Sequence, residues 1–582
     1  MRIKLIILLL LLSVSLSATK YYVAPSTATP AGNDAAIGDI THPWLTWGKA
    51  FTSTSVNAGD TVYFRGGVYP MSIINGTGYS VTRVGTVTDT IKYWAYPGET
   101  PILDCGNVVP TGTTHRAILV SSNGYTHFKG LTVRNVWQVN TNVQVIAWQA
   151  SEGFVTFENC TVYNIGGNGF RSGFDGIYKP PGYLDGTHYF INCDAYNCCD
   201  SISPGYAGGR GTGFGVYNEY ATIDAKSYFI GCRAWHCTDQ GFSLAGDSYC
   251  EADACWSFDN RHYYSGDGIG FKLGWVTDIQ AGLRLVVKNC IAAFNTFLGF
   301  DTNDRQYSTI SVSNIYNNIA YHNGYDPSWG VSYGFAIFNT LGTDAHELTR
   351  VFRNNIAYDN DDAEILVAAG ALYTHSNNSW DIPLTIMDVD FASVDSTGIT
   401  ATRQADGSFP NNACYNNFLK LSATSQAINR GTDTITVSVI IDSTDFSGDE
   451  PDIGPFEWND YDVPPPEVAT VYPSIVTSGS ITTGGYIIED YDEFVAWKGI
   501  CWNTTGTPTL DDNTVYGGTG SSTYSVTISG LTANVTYYVR ACAVTESGTG
   551  YGATYSITMD EWNYIKHNGK IVKHNGVPVI IR

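Results

Sequence analysis

The sequence predicts an all-β protein: a right-handed parallel β-helix followed by a small β-sandwich domain. Three observations predict it. The 582 residues include 61 glycines and 39 tyrosines but only 4 methionines, with 15% charged residues, which is a turn-rich β composition. Similar segments recur as FKGLTVRN (128–135), FENCTVYN (157–164), FINCDAYN (190–197), FIGCRAWH (229–236), DACWSFDN (253–260), KNCIAAFN (288–295), NNIAYHN (317–323) and NNIAYDN (354–360). Interleaved with them is a Gly-Phe signature at Gly169-Phe170, Gly213-Phe214, Gly241-Phe242, Gly270-Phe271, Gly299-Phe300 and Gly334-Phe335. Short strands repeated once per turn, with loops of uneven length, describe stacked coils about 4.8 Å apart.

Residues 1–18, MRIKLIILLLLLSVSLSA, combine a basic start, an apolar stretch and small residues before Ala18, the pattern of a secretion signal. The apolar stretch is short of the roughly 20 residues of a membrane span. The expected location is therefore outside a bacterial cell or on its surface. KYYVAPS (20–26) is a strand, HPWLTWGKAFTST (42–54) can form a short amphipathic helix that caps the open end of the core, and AGDTVYFRGGVYP (58–70) is a turn, a strand and a glycine turn. The β-helix is expected over 19–458, ending near DIGPFEW (452–458), with a proline-rich linker over 459–466.

Within the coils, Leu131, Cys160, Cys193, Cys232, Cys255, Cys290, Asn318 and Asn355 fall at one equivalent site, a narrow interior ladder of small residues in which thiols could pack or bridge and amides could bond from coil to coil. The group Cys193, Cys198, Cys199, Cys232 and Cys237 lacks a matching His or Cys pair at usable spacing, which argues against zinc. Phe170, Phe214, Phe242, Phe271, Phe300 and Phe335 form an internal aromatic ladder. Beyond the linker, AWKGICWNT (496–504), STYSVTISGLTANVTYYVRACAVTESGTGYG (522–552) and ATYSITM (553–559) read as antiparallel strands of a domain over 467–560, where Cys501 and Cys542 could cross-link its sheets or simply pack in them. The near repeat KHNGKIV/KHNGVPV in 561–582 suggests a hairpin or tail.

The charge balance of 31 Lys and Arg against 54 Asp and Glu, net -23, argues against nucleic acid or an anionic membrane as partner. The core of a β-helix is inside, so chemistry belongs to its outer faces. Residues following the inward Phe point outward, which puts Arg171, Gly215, Ser243, Lys272, Asp301 and Ala336 on one face. Asp239 and Gln240 flank it, and Arg305 follows slightly further on. Lys272 stands in the nearly uncharged segment GIGFKLGW (268–275). Asp239 and Asp301, two coils or about 9.6 Å apart, barely permit the carboxylate pair of an inverting glycosidase, and Lys272 lies between them.

Over roughly 120–340 the chain resembles the family 9 polysaccharide lyases, which include secreted pectate lyases, in the order YFINCDAYN, YFIGCRAWHCTDQGFSL, GIGFKLG, VVKNCIAAFN and LGFDTND. The resemblance implies that Lys272 is the base of a β-elimination on an acidic polysaccharide. It also implies a calcium site of four aspartates, whose positions here hold Thr212, Asp239, Gln240 and Ser243. With three of the four changed, any calcium is expected to be weakly bound, or else a cation such as Arg210, Arg233 or Arg305 neutralises the substrate. Arg210, Arg233, Asp301 and Arg305 are the expected substrate contacts. The competing class is a non-catalytic glycan-binding or adhesin scaffold in which the lysine is a remnant. The segments GICWNT and SGLTANVTYYVRACA resemble fibronectin type III-like modules of secreted enzymes, which implies a spacing or surface-attachment role for 467–560.

Overall fold

The computed structural model describes residues 18–582 apart from 72–76, 107–113, 139–143, 174–185, 204–206, 218–224, 245–247, 262–264, 275–281, 304–310, 326–330, 339–348, 372, 459–464, 491–493, 546–547 and scattered positions from 560 onward. The expected leader lies almost wholly outside the described residues, as does most of the expected linker. The chain divides into two compact units, 1–458 and 459–582.

In the first unit three parallel sheets wind around one core. The first runs from Lys20–Val23 to Thr374–Ser376 in twelve strands, the second from Gly67–Pro70 to Ile356–Tyr358 in ten, and the third from Thr77–Val81 to Ala363–Val367 in ten. Ten coils give one strand to each sheet, as the interleaved signatures require, and the first sheet has one further strand at each end. The turn from first to second sheet is tight, and its corner residue takes a left-handed backbone in coil after coil: Gly130 (φ 69), Asn159 (53), Asn192 (53), Gly231 (60), Asn289 (55), Asn317 (55) and Asn354 (54). Glycine and asparagine tolerate that conformation, which is why Asn or Gly so often precedes the Cys/Asn ladder.

The Gly-Phe phenylalanines stack in register on the third sheet, with successive ring centroids 5.1, 4.9, 4.8, 4.9 and 4.7 Å apart from Phe170 to Phe335. All six are buried. Burial of each ring stabilises the fold by about 1.5–3 kcal/mol. The ladder cysteines remain free thiols, and Cys193, Cys232 and Cys255 direct Sγ at carbonyls of the preceding coil, at 3.4, 3.2 and 3.4 Å. Further along, Asn318 donates to Asn355 at 3.0 Å and Asn355 to Asn378 at 2.8 Å. The helix forms over Trp47–Thr52, N-capped by the Thr46 hydroxyl, and buries Trp47, Ala50 and Phe51 against Phe64 and Tyr93 at the N-terminal end of the stack.

The stack is shorter than the expected 19–458, because its last strand is Thr374–Ser376. Most of the chain from 377 to 458 lacks regular structure and lies against the outer face of the second sheet, where Phe409, Tyr415 and Phe418 pack on Trp256. The alternating pattern that marks coils fades there, and its apolar residues cover a sheet face instead of filling the interior.

The second unit has two antiparallel sheets around one core. One contains Glu467–Thr477, Ser480–Glu489 and Tyr524–Ser529. The other is built on Trp497–Asn503 and Thr536–Thr545, flanked by Asn513–Gly518, Gly548–Tyr551 and Tyr555–Thr558. Cys501 and Cys542 form a disulfide, yet their strands are neighbours in one sheet, so the bond staples a single sheet and does not link the two. The tail folds into short antiparallel pairs such as Lys566–His567 with Lys570–Ile571.

Candidate active site

Strand pairing on the third sheet sets one outward column: Gln149, Arg171, Gly215, Ser243, Lys272, Asp301 and Ala336 occupy matching positions on successive coils. Two residues before each ladder Phe, Thr212 and Gln240 sit on adjacent coils, and the Thr212 hydroxyl donates to Gln240 Oε1 at 3.1 Å. The parallel register thus brings Thr212, Asp239, Gln240, Ser243, Lys272 and Asp301 together from four successive coils. Outward does not mean solvated here. Asp239, Gln240, Ser243 and Asp301 are buried, and the Lys272 side chain is 15% exposed.

Asp267, in the loop leading to Lys272, completes the centre. The Lys272 ammonium approaches Asp267 Oδ2 at 3.5 Å, and the Asp267 backbone N–H donates to Asp239 Oδ1 at 3.4 Å. Burial pulls the Lys272 pKa down, but Asp239, Asp267 and Asp301 together outweigh it, with a smaller push from Tyr217, and the net shift is upward. Burial drives the Asp239 carboxyl up to about 7 despite the nearby ammonium, and the charge of Asp267 adds to the rise.

Tyr217 is a groove residue that the motif reading passed over. The Arg171 guanidinium stacks on its ring at 4.0 Å, and a Cβ on Gly215 would meet Tyr217 Cε2 at 2.4 Å. The ring therefore lies across Gly215, filling the place a side chain would take in the column between Arg171 and Ser243. The signal available in the sequence was the small residue following Phe214, with an aromatic two positions later.

The four arginine and aspartate contacts expected for substrate separate. Asp301 is in the groove beside Lys272, its Oδ1 accepting the Asn303 backbone N–H at 2.7 Å. Arg210 is half-buried in the turn just before Thr212. Arg305 lies outside the described residues. Arg233 is corrected: it belongs to the second sheet, is 1% exposed, and is bound by Asp194 at 2.5 Å and the Tyr415 hydroxyl at 2.6 Å beneath the 377–458 segment. Loop-length variation between coils hid which sheet it belonged to.

The donors at the four metal positions do not match calcium. That ion takes six to eight oxygens, with carboxylates supplying most of the charge. Thr212, Gln240 and Ser243 are neutral, the Thr212 hydroxyl is committed to Gln240, and the single carboxylate, Asp239, is held up in pKa by burial. Among the described residues no three His, Cys, Asp or Glu side chains are grouped to hold a metal ion.

Residues 21–339 match the family model described as Pel9A-like, right handed beta helix region. The chain belongs to that family. Pectate lyase L of Dickeya dadantii is 27% identical over 454 residues, covering 75% of this chain and 90% of that protein, and pectate lyase PEL9 of Emericella nidulans is 26% identical over 397 residues, covering 65% and 88%. The crystal structure of pectate lyase Pel9A superposes with a TM-score of 0.56 at 24% identity, over 76% of this chain and 98% of that one. A rhamnogalacturonan lyase gives the same TM-score and identity over 70% and 97%. These two likenesses establish the right-handed parallel β-helix. Among the described residues no helix is long and apolar enough to cross a membrane.

Proposed function

We propose that this polysaccharide lyase cleaves a uronic-acid-containing, pectate-like polymer by β-elimination, with Lys272 as the base. The observation that carries the proposal is the position of Lys272: a mostly buried amine on a rigid strand, in register between Ser243 and Asp301, at the centre of a groove face that the family match spans. In the reaction the amine takes the C5 proton of a uronate. The electron pair of that C–H bond becomes the C4=C5 double bond, the C4–O4 bond breaks, and O4 leaves with its electron pair and acquires a proton. Stabilising the enolate formed at the carboxyl group is the larger part of such catalysis. The Gln240 amide and the Ser243 hydroxyl would donate hydrogen bonds toward that group, with the Thr212 hydroxyl holding the Gln240 side chain, while Asp267 and Asp301 orient the amine and Arg210 lies close enough along the chain to Thr212 to meet a neighbouring sugar.

The amine accepts a proton only when neutral, and its pKa is raised, so turnover is expected to climb with pH on the alkaline side. Calcium dependence is expected to be slight. Secretion, and attachment or spacing through a fibronectin type III-like C-terminal module, belong to the same proposal. They rest on the leader pattern of residues 1–18 and on the paired antiparallel sheets of the second unit. Incubation with a panel of polyuronates, followed by the ultraviolet absorbance of the unsaturated product, tests the reading: product that is lost in Lys272→Ala supports it, and no product from any polyuronate gives the chain to the glycan-binding class.

A further inference from the structure

We propose that the uronates turned over at this site are neutral esters, so that the substrate is a methyl-esterified polyuronate and turnover proceeds without calcium. The inference rests on the lyase reading above and specifies its substrate. Two observations carry it: the neutral donors at three of the four metal positions, and, among the described residues, the excess of carboxylate around Lys272.

A polymer of free uronates brings a carboxylate to each subsite. Around Lys272 the groove already holds Asp239, Asp267 and Asp301, which all act electrostatically on that single ammonium. When lysine acts as base it enters as the neutral amine, so its positive charge is absent while the substrate binds and returns only as the C5 proton reaches Nζ. A free uronate would bring one more negative charge beside those three carboxylates while the amine is neutral, and build a second as the enolate forms, where water is largely excluded and the Coulomb cost is greatest. Four aspartates holding calcium would answer that problem. Thr212, Gln240 and Ser243 do not, because hydroxyls and an amide bring no charge with which to hold the ion.

Two of these side chains, the Gln240 amide held by Thr212 and the Ser243 hydroxyl, suit an ester. An uncharged carbonyl needs hydrogen-bond donors and no counter-ion, and donors preorganised around the carbonyl stabilise the enolate as it forms. The C5 proton of an ester is also more acidic than that of a carboxylate, since its enolate carries one negative charge and not two. Ser243 carries a short hydroxyl where the resemblance implies the longer, charged carboxylate of aspartate, and it stands directly beside Lys272 in register. The step balances without a co-reactant: the C5 proton passes to Lys272 Nζ, its electron pair becomes the C4=C5 bond, O4 departs with the C4–O4 pair and takes up a proton, and the ester is unchanged.

The test uses the full chain with homogalacturonan of graded methyl-esterification in the presence of EDTA, reading unsaturated product. Turnover of the highly esterified polymer is expected to exceed that of the de-esterified polymer by about tenfold or more, a difference of about 1.4 kcal/mol in the barrier, with no change on replacing EDTA by calcium. The double variant Gln240→Asp with Ser243→Asp should reverse the preference, gaining turnover of the de-esterified polymer only when calcium is added. A wild-type chain that works on the de-esterified polymer alone, or that needs calcium, overturns this inference and leaves the lyase reading standing. Product from neither polymer, with or without calcium, overturns both.

Discussion

Two outer faces of the β-helix bury cations beside carboxylates, and they do so to different ends. On the second sheet Arg233 and Arg403 share Asp194, with Arg403 Nε at 2.9 Å from Oδ1, and the 377–458 segment closes over them with Tyr415. Two cations meet one carboxylate, and backbone carbonyls of Ala401, Gly407 and Gly231 take up remaining guanidinium donors. On the third sheet one ammonium faces three carboxylates, and Lys272 keeps 15% of its side chain exposed. A buried charge that is fully hydrogen-bonded and covered holds a structure together, whereas one left in an unbalanced cluster is available to a substrate. A buried lysine or arginine in the sequence does not tell the two apart. The sheet it belongs to, and what lies over that sheet, do.

The comparison breaks most visibly at Lys272. Lys272→Ala should lower product formation per folded molecule by about 10²–10⁴-fold, the range for loss of a general base. Lys272→Arg should be nearly as poor, since a guanidinium rarely releases its proton. Wild-type turnover in Lys272→Ala would move the base elsewhere. Arg233→Ala should behave in the opposite way. Leaving Asp194 buried with half its partners costs about 3–5 kcal/mol of stability, read as a fall in denaturation midpoint, with kcat per folded molecule retained. A large loss of kcat at unchanged stability would return Arg233 to the groove.

How much of this was legible in the sequence follows from the physics of stacking. The coils were, because the Asn or Gly at the first corner, the small Cys/Asn site and the Gly-Phe pair recur through the middle of the stack under a fixed steric demand, Ala254 being an exception at the corner. Lys272, Ser243 and Asp301 could be placed on one face because each directly follows a ladder Phe, and alternation along a strand then sets its direction. Arg233 and the end of the stack could not. Arg233 directly follows a ladder cysteine, and only the three-dimensional course of the chain shows that its sheet is roofed by residues some 170 positions later. Tyr217 was missed because it lies just past the end of its strand, where alternation no longer says which way a side chain points.

Asp239→Asn sharpens the charge side of the comparison. Removing the carboxylate removes an influence that raises the Lys272 pKa, so the pH–rate profile should move toward lower pH. Stability should respond as well. The Asp239 carboxyl titrates near 7 in the fold and at about 3.9 in an unfolded chain, so the native state holds this proton more tightly. Its contribution is complete below the unfolded value and is lost as pH rises through about 7. Asp239→Asn should therefore gain stability relative to wild type above pH 7, on the order of 1–3 kcal/mol, and show no such gain near pH 3. A profile that shifts toward higher pH would mean that Asp239 does not act on the lysine.

The smallest expected effect concerns the ring beside the lysine. A methyl group at position 215 would sit 2.4 Å from Tyr217 Cε2, closer than any real carbon contact. What must yield is the ring, because it is the far part of a side chain while the strand beneath is pinned by its neighbours in the sheet. Gly215→Ala should accordingly leave the fold intact but swing Tyr217 off the column and away from Arg171, whose stacking on the ring is worth about 0.5–2 kcal/mol. If the ring forms part of the surface on which the polymer lies, KM should rise by a few-fold while kcat and its pH dependence stay near wild type, because Lys272, Asp239 and Asp267 are untouched. Tyr217→Phe separates the ring from its hydroxyl: it should match wild type in KM if the aromatic face does the binding. A collapse of kcat in Tyr217→Phe, with KM unchanged, would instead give the phenol a part in proton transfer and enlarge the catalytic centre beyond the lysine.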